Sequence, residues 1–316
     1  MKLGLALAMM LISPVASADE ELAIFAGQPR IVHGETGTPG WSVAYSHDIT
    51  DHLFGSVVYL NEGHFPGHHR DGFAAQAGLR TGDLGGGVSL QAALGPYNYF
   101  DTTLAETAQG YADAHGTGML YSVAARWRQG DSAPWSWVFR VDRTRVAHGV
   151  DTTMLLLGAS YRVQQDASFG QEGLPRGHAT RDEVAISGGQ TIVNSFESQN
   201  STAGSVDYRH AFNPVLRASL GILHEGDARL VRRDGIVAQG WLEPTFYDGR
   251  FSLGIGFGPY VALDHYRSGP DLLGLLSTTF AYRLSPRWNA RITWHRSVSR
   301  YDRDTDILLA GVGYRF

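Results

Sequence analysis

Residues 307–316 read ILLAGVGYRF, and the alternation in this stretch decides the fold class. Leu308, Ala310, Val312, Tyr314 and Phe316 fall on one side of an extended chain, because successive side chains of a strand point to opposite faces. That side carries only apolar and aromatic groups, as a strand facing hydrocarbon does, with Tyr314 and Phe316 at the interfacial belt. The same period of two recurs upstream. Leu216, Ala218, Leu220 and Ile222 share a face opposite Arg217, Ser219 and Gly221. Phe251, Leu253, Ile255, Phe257, Pro259, Val261 and Leu263 share another, opposite mostly small or polar partners.

The chain starts Met1-Lys2, runs apolar from Leu3 to Ile12 and reaches Ala16-Ser17-Ala18. A positive start, a short apolar run and a small-x-small site predict a secretory signal peptide over 1–18. Beyond it no window approaches eighteen uninterrupted apolar residues, so strands rather than helices are the spanning elements. With that exported start, the last strand and its final aromatic resemble the terminal strand of bacterial outer-membrane proteins, where the last aromatic is part of the assembly signal. The resemblance implies a barrel in the bacterial outer membrane. Its implied partners are outer-membrane lipids, lipopolysaccharide and the barrel-assembly machinery.

The second half repeats the first. Leu60-Asn61-Glu62-Gly63 matches Leu223-His224-Glu225-Gly226, and Arg70-Asp71-Gly72 with Gln76 matches Arg233-Asp234-Gly235 with Gln239. Gly95-Pro96-Tyr97 and Asp101 match Gly258-Pro259-Tyr260 and Asp264, all at a separation of 163 positions. Residues 151–163 (DTTMLLLGASYRV) parallel 304–316 (DTDILLAGVGYRF). Order and spacing together predict an internal duplication. The units are 19–163 and 184–316, joined by a Gln-, Gly-, Ser- and Pro-rich segment over 164–183.

Each unit supplies about eight strands; in the second they are expected near 184–193, 202–211, 214–224, 235–245, 250–264, 271–284, 288–298 and 304–316. Phe212-Asn213-Pro214, Tyr247-Asp248-Gly249 and Ser285-Pro286-Arg287 have tight-turn chemistry, and longer polar loops alternate with them. The fold class is therefore all-β, a transmembrane antiparallel β-barrel, internally duplicated. One barrel of about sixteen strands is the expectation, with two eight-stranded barrels as the alternative. Both leave no backbone edge facing lipid.

Composition excludes several function classes. There is no cysteine among the 316 residues, which removes thiol catalysis and disulfides. The formal charge is −5, and the arginines are interspersed with acids rather than gathered in a stripe. That is not the footprint of a nucleic-acid binder. Gly85-Gly86-Gly87 lacks the lysine and hydroxyl of a phosphate loop and reads as a turn. No cofactor is expected.

Polar residues on the inferred inward face of the second unit are the candidate lumen lining: Arg217, Glu225, Gln239, Glu243, Asp264, Arg283 and Arg291. Charges inside a membrane barrel need water or opposite charges, so arginine–carboxylate pairs across the lumen are expected. Such residues also tune solute passage. The leading functional expectation is a porin-like, envelope-structural or surface-binding role. His295-Arg296-Ser297 supplies the rival, since positions 295 and 297 point the same way on a strand. A histidine there can activate a serine hydroxyl, with Asp306 or Asp304 as orienting acid and a loop N–H or Arg296 as oxyanion donor.

His295 and Ser297 on the penultimate strand resemble the outer-membrane lipid A 3-O-deacylase family, which places a His-x-Ser pair there and a Glu on the last strand. The resemblance implies metal-free hydrolysis of an ester-linked acyl chain, with His295, Ser297 and Asp306 as the catalytic residues. This chain departs from the family at the acid, and again where Val298-Ser299-Arg300 stands in place of Asn-Ala-Gly. Asp306 also has the parity of outward Phe316, while His295 has the inward one. In the first unit the corresponding positions are Asp142 and Thr144. His64, His68, His69, Asp71 and Glu62 form the densest metal-like cluster, but no helix sets their geometry, so they read as a solvated loop and no metal is expected.

Overall fold

The computed structural model describes residues 20–31, 37–105, 110–130, 133–147, 149–163, 180–195, 199–227 and 229–316. The expected signal peptide, and most of the expected connecting segment, lie outside the described residues. The first unit contains β1 (Glu20–Ile31), β2 (Gly40–Asp48), β3 (Leu53–Phe65), β4 (His68–Arg80), β5 (Val88–Leu104), β6 (Tyr111–Arg128), β7 (Trp135–Val146) and β8 (Thr152–Val163). These strands pair in sequence order into a closed barrel. Closure runs from Glu20↔Val163 to Ile31↔Thr152, antiparallel along the whole of β1.

The second unit contains β9 (Asp182–Val193), β10 (Asn200–Ala211), β11 (Leu216–His224), β12 (Arg233–Leu242), the two-residue β13 (Thr245–Phe246), β14 (Phe251–Asp264), β15 (Pro270–Ser285), β16 (Trp288–Val298) and β17 (Thr305–Arg315). The last strand returns to the first of this unit, from Thr305↔Val193 to Arg315↔Glu183. A β12–β14 ladder completes the ring. Its short turns carry the side-chain bonds their sequences promise. Asn213 Oδ1 accepts the N–H groups of Val215 (2.9 Å) and Leu216 (2.6 Å), and Ser285 Oγ accepts those of Arg287 (3.3 Å) and Trp288 (3.2 Å).

The expected single sixteen-stranded barrel is thus incorrect, and the chain forms two separate eight-stranded ones. The physical reason lies in the inward side chains. An eight-stranded ring has a bore that side chains can fill, whereas a sixteen-stranded ring encloses water. In the first barrel Val58, Leu60, Tyr97, Leu120, Met154 and Leu156 are fully buried inside. In the second, Leu223, Tyr260, Leu273, Leu275, Ile307 and Leu309 play that part. A wide aqueous channel would leave these groups wet.

The outer walls have the opposite character. Ile24, Val123, Phe139 and Leu157 of the first barrel, and Ile186, Leu220, Ile236 and Leu308 of the second, are large, apolar and half or more exposed. A closed ring with such a wall buries its apolar surface only in lipid. Both barrels carry a tryptophan–tyrosine pair at the end where β7 and β16 begin, Trp135–Tyr161 (ring centroids 4.7 Å apart) and Trp288–Tyr314 (5.1 Å). Amphipathic rings of this kind sit at headgroup level.

Candidate functional site

Each bore is closed by a buried ion pair near the end where β3 turns into β4 and β11 connects to β12. In the first barrel the β3–β4 register shifts between Asn61 and His64, at Gly63 (φ 71°), a bulge that only glycine takes without strain. Glu62 and Arg70 flank this hairpin, and neither side chain has any solvent exposure. Arg70 donates from Nε to Glu62 Oε1 (2.9 Å) and from Nη2 to Oε2 (2.7 Å), the two-pronged geometry guanidinium favours. Tyr97 donates to Oε1 (2.8 Å), and Thr152 donates to Oε2. Arg70 also reaches the Val150 carbonyl (2.7 Å), Thr144 (3.2 Å) and Thr152 (3.3 Å), so the network spans five strands and a loop.

Gly72 explains why the tyrosine fits. A Cβ there would lie 2.7 Å from the Tyr97 ring and 2.2 Å from the Asn98 carbonyl oxygen, so the hydrogen side chain admits the ring. At Gly235 a Cβ would meet the Tyr260 ring at 2.8 Å.

The second barrel repeats this plan with looser bonding. Arg233 donates from Nη2 to Glu225 Oε2 (2.7 Å), and both side chains have no exposure. Thr305 donates to the same oxygen (2.5 Å). Arg233 also donates to Ser297 Oγ (2.8 Å) and to the Arg303 carbonyl (3.1 Å). Glu225 Oε1, Arg233 Nε and the Tyr260 hydroxyl are buried without a hydrogen-bond partner. The Tyr260 hydroxyl thus faces Glu225 in a contact longer than the 2.8 Å bond that Tyr97 makes to Glu62.

The residues of the hydrolytic reading are not brought together. Ser297 bonds to Arg233 and to Thr305 (2.7 Å), as Thr144 bonds to Arg70 and Thr152 in the first barrel. His295 Nδ1 lies 2.6 Å from Ser277 Oγ. Asp306 sits opposite Arg296, between the inward rungs His295↔Ile307 and Ser297↔Thr305, and so points to the other face of the wall. Its carboxylate is 3.4 Å from the Arg296 guanidinium. Asp304 accepts the Ser299 N–H (2.7 Å) and so braces the β16–β17 loop. Among the described residues, then, His295 does not reach Ser297 and Asp306 does not orient His295, so the expected triad is not assembled; the serine that His295 meets is Ser277.

The remaining inward candidates divide between the two ends of the second barrel. Asp264 accepts the Tyr301 hydroxyl (3.3 Å) near the Arg233 end. Gln239 sits midway, donating to the Leu275 carbonyl (3.2 Å) and Ser277 (2.8 Å). At the opposite end Glu243 is a hub, accepting from Arg209 (2.5 Å), Arg291 (3.1 Å) and Ser252 (2.8 Å), with Arg217 Nε 3.8 Å away. Arg291 also donates to Glu183 (3.1 Å), and the Arg283 guanidinium lies against Gly249. Sequence reading missed Arg209 and Glu183; both have the inward parity of their strands, and that parity was the available signal.

The histidine-rich hairpin of the first barrel holds no ligand set. Glu62 is taken by Arg70, His68 Nδ1 by Asp101 (2.8 Å) and Asp71 by Tyr59 (2.7 Å), while His64 stacks on His69 at 4.0 Å. Among the described residues no three such groups converge as a metal site.

No family model and no curated protein matches this chain. The solved structures to which it is similar include three smaller chains. The N-terminal β-barrel domain of Pseudomonas aeruginosa OprF is 13% identical over 46% of this chain and 99% of that one, with a TM-score of 0.36. Neisserial surface protein A is 12% identical over 46% and 99%, with a TM-score of 0.35. Ail, the attachment invasion locus protein of Yersinia pestis, is 15% identical over 46% and 99%, with a TM-score of 0.34.

Proposed function

We propose that this chain is a bacterial outer-membrane protein made of two plugged barrels, with an envelope-structural and surface-displaying role rather than a solute-conducting one. The observation that carries the reading is the pair of unexposed ion pairs, Glu62–Arg70 and Glu225–Arg233, each set in a bore otherwise filled by apolar side chains. Separating such a pair to open a path would strand two charges in low dielectric. The apolar walls and paired aromatics support residence in the membrane, and the expected signal peptide and terminal strand support export and delivery by the assembly machinery. Lipopolysaccharide is the natural neighbour of the loops at the ion-pair end. Sequence correspondence and the matching plugs support descent of both barrels from one duplicated unit.

Planar-bilayer recording on the full chain tests the reading. Wild-type protein is expected to give no stepwise conductance in molar salt. Large, stable, solute-permeable steps from the wild type would overturn it.

A further inference from the structure

The tip of the first barrel's β3–β4 hairpin pairs two imidazoles across the strands. Pro66-Gly67 makes the turn, with Gly67 at φ 72°, and the register sets His64 opposite His69. Their rings stack with centroids 4.0 Å apart and planes 15° from parallel, His64 exposed and His69 half-buried. The hairpin lies over the ion pair: Phe65, next to His64, is buried, and its ring sits 5.4 Å from the Arg70 guanidinium carbon. At the positions 163 further on, the second barrel has Asp227 and Arg232, opposite charges 3.7 Å apart. One copy thus joins its connection with charges of opposite sign, which persist at any pH near neutrality. The other uses two groups that change charge there.

Opposite charges facing each other across two strands attract, and like charges repel. From this contrast we propose that the His64–His69 stack is a pH-sensitive latch on the first barrel. While neutral it holds the hairpin over the Glu62–Arg70 pair, and acid releases it. Imidazole changes charge between about pH 5 and 8. Above that window the rings stack as neutral groups, and below it two cations face each other at the same spacing. On β4, Arg70 is a fixed cation against the Phe65 ring and adds to the repulsion, while Glu62 on β3 is held by both prongs of that guanidinium. Asp71 accepts from Tyr59 (2.7 Å). On β5, Asp101 meets His68 at 2.8 Å, so a charged His68 tightens the turn and opposes the release. That strand also sets the uncharged Thr102 opposite His69 and Thr103 opposite His68. The β1–β2 connection contributes the Thr38 hydroxyl, which accepts the His64 N–H (2.8 Å) and carries no charge. The latch goes beyond the envelope-structural reading and does not rest on it.

The test uses the full chain folded in a maltoside detergent. Hydrogen exchange of the 64–69 amides is followed by mass spectrometry and corrected for the intrinsic pH dependence of exchange. Between pH 8 and pH 5 their protection is expected to fall about fivefold, the weight of one like-charged cross-strand pair. His64→Gln leaves a single imidazole and should abolish the fall. The double change His64→Asp with His69→Arg copies the second barrel's pair and should abolish it too. His68→Gln removes the opposing contact and should keep the fall or deepen it. His64 is exposed, so its replacement spares the fold, and heat-modifiable gel mobility checks this for every variant. Wild-type protection that stays constant or rises on acidification, or a fall that survives both His64 variants, would overturn the proposal.

Discussion

In the first barrel Arg70 meets Glu62 through two near-parallel bonds, and Tyr97 and Thr152 occupy the remaining acceptor positions. In the second barrel Arg233 meets Glu225 through one bond, Arg233 Nε finds no acceptor, and the Tyr260 hydroxyl faces Glu225 only at longer range. Both use the same residue types at matching positions. The difference teaches that sequence correspondence conserves the parts of a buried network more readily than its completeness. A full network fixes its members, while each unpaired buried polar group costs about 1–3 kcal/mol. The second plug is therefore the less stable of the two.

The most damaging way to break the comparison is to remove one charge of a plug. Glu62→Ala should destabilise its barrel by about 3–5 kcal/mol, since it leaves Arg70 buried and alone. Glu225→Ala should cost less, because its network is already incomplete. Urea unfolding in lipid vesicles reads both, and an equal or reversed order would remove the distinction drawn here. Next comes the wall. Leu157→Arg, at a position 60% exposed in the middle of β8, should cost about 2–4 kcal/mol in a bilayer. A neutral result would mean that this face does not meet hydrocarbon.

Smaller effects sharpen the parallel. Gly72→Ala should cost about 1–3 kcal/mol by overpacking against Tyr97 and Asn98, and Gly235→Ala a similar amount against Tyr260 and Val261. The smallest effect should come from Ser297→Thr, which copies Thr144 of the first barrel. A cost below about 1.5 kcal/mol is expected from so slight a volume change. An ester-hydrolysis assay on the same variant and on wild type should show no release of fatty acid. Serine-dependent release would restore the hydrolytic reading.

Strand alternation made the wall legible from sequence: Leu308, Val312 and Phe316 are exposed where the parity of ILLAGVGYRF put them. Parity alone likewise separates Asp306 from His295, and the β16–β17 register agrees. Ring size is not legible from the polar members of the inward face, because arginine–carboxylate pairs suit a wet lumen and a plugged bore alike. Ile307 and Leu309, on the inward side of the very strand that fixed the fold class, are buried at 0% and 1%. Inward leucine and isoleucine are the mark of a filled bore, and weighing them beside Glu225 and Arg291 would have favoured two rings. The bonding of Ser297 was not legible, because a serine two residues from a histidine looks the same whether it answers to that histidine or to an arginine four strands away in sequence.

Closure of β1 on β8 and of β9 on β17 has a consequence for how a chain selects its ring number. Joining ends across half as many residues lowers the entropic toll of loop closure by only about 0.6 kcal/mol. A core of six large side chains, at roughly 1.5–3 kcal/mol apiece when fully buried, outweighs that by an order of magnitude. Circumference in this molecule is therefore decided from within, by the bulk each strand turns toward its axis, and hardly at all by the length of polypeptide available to go round.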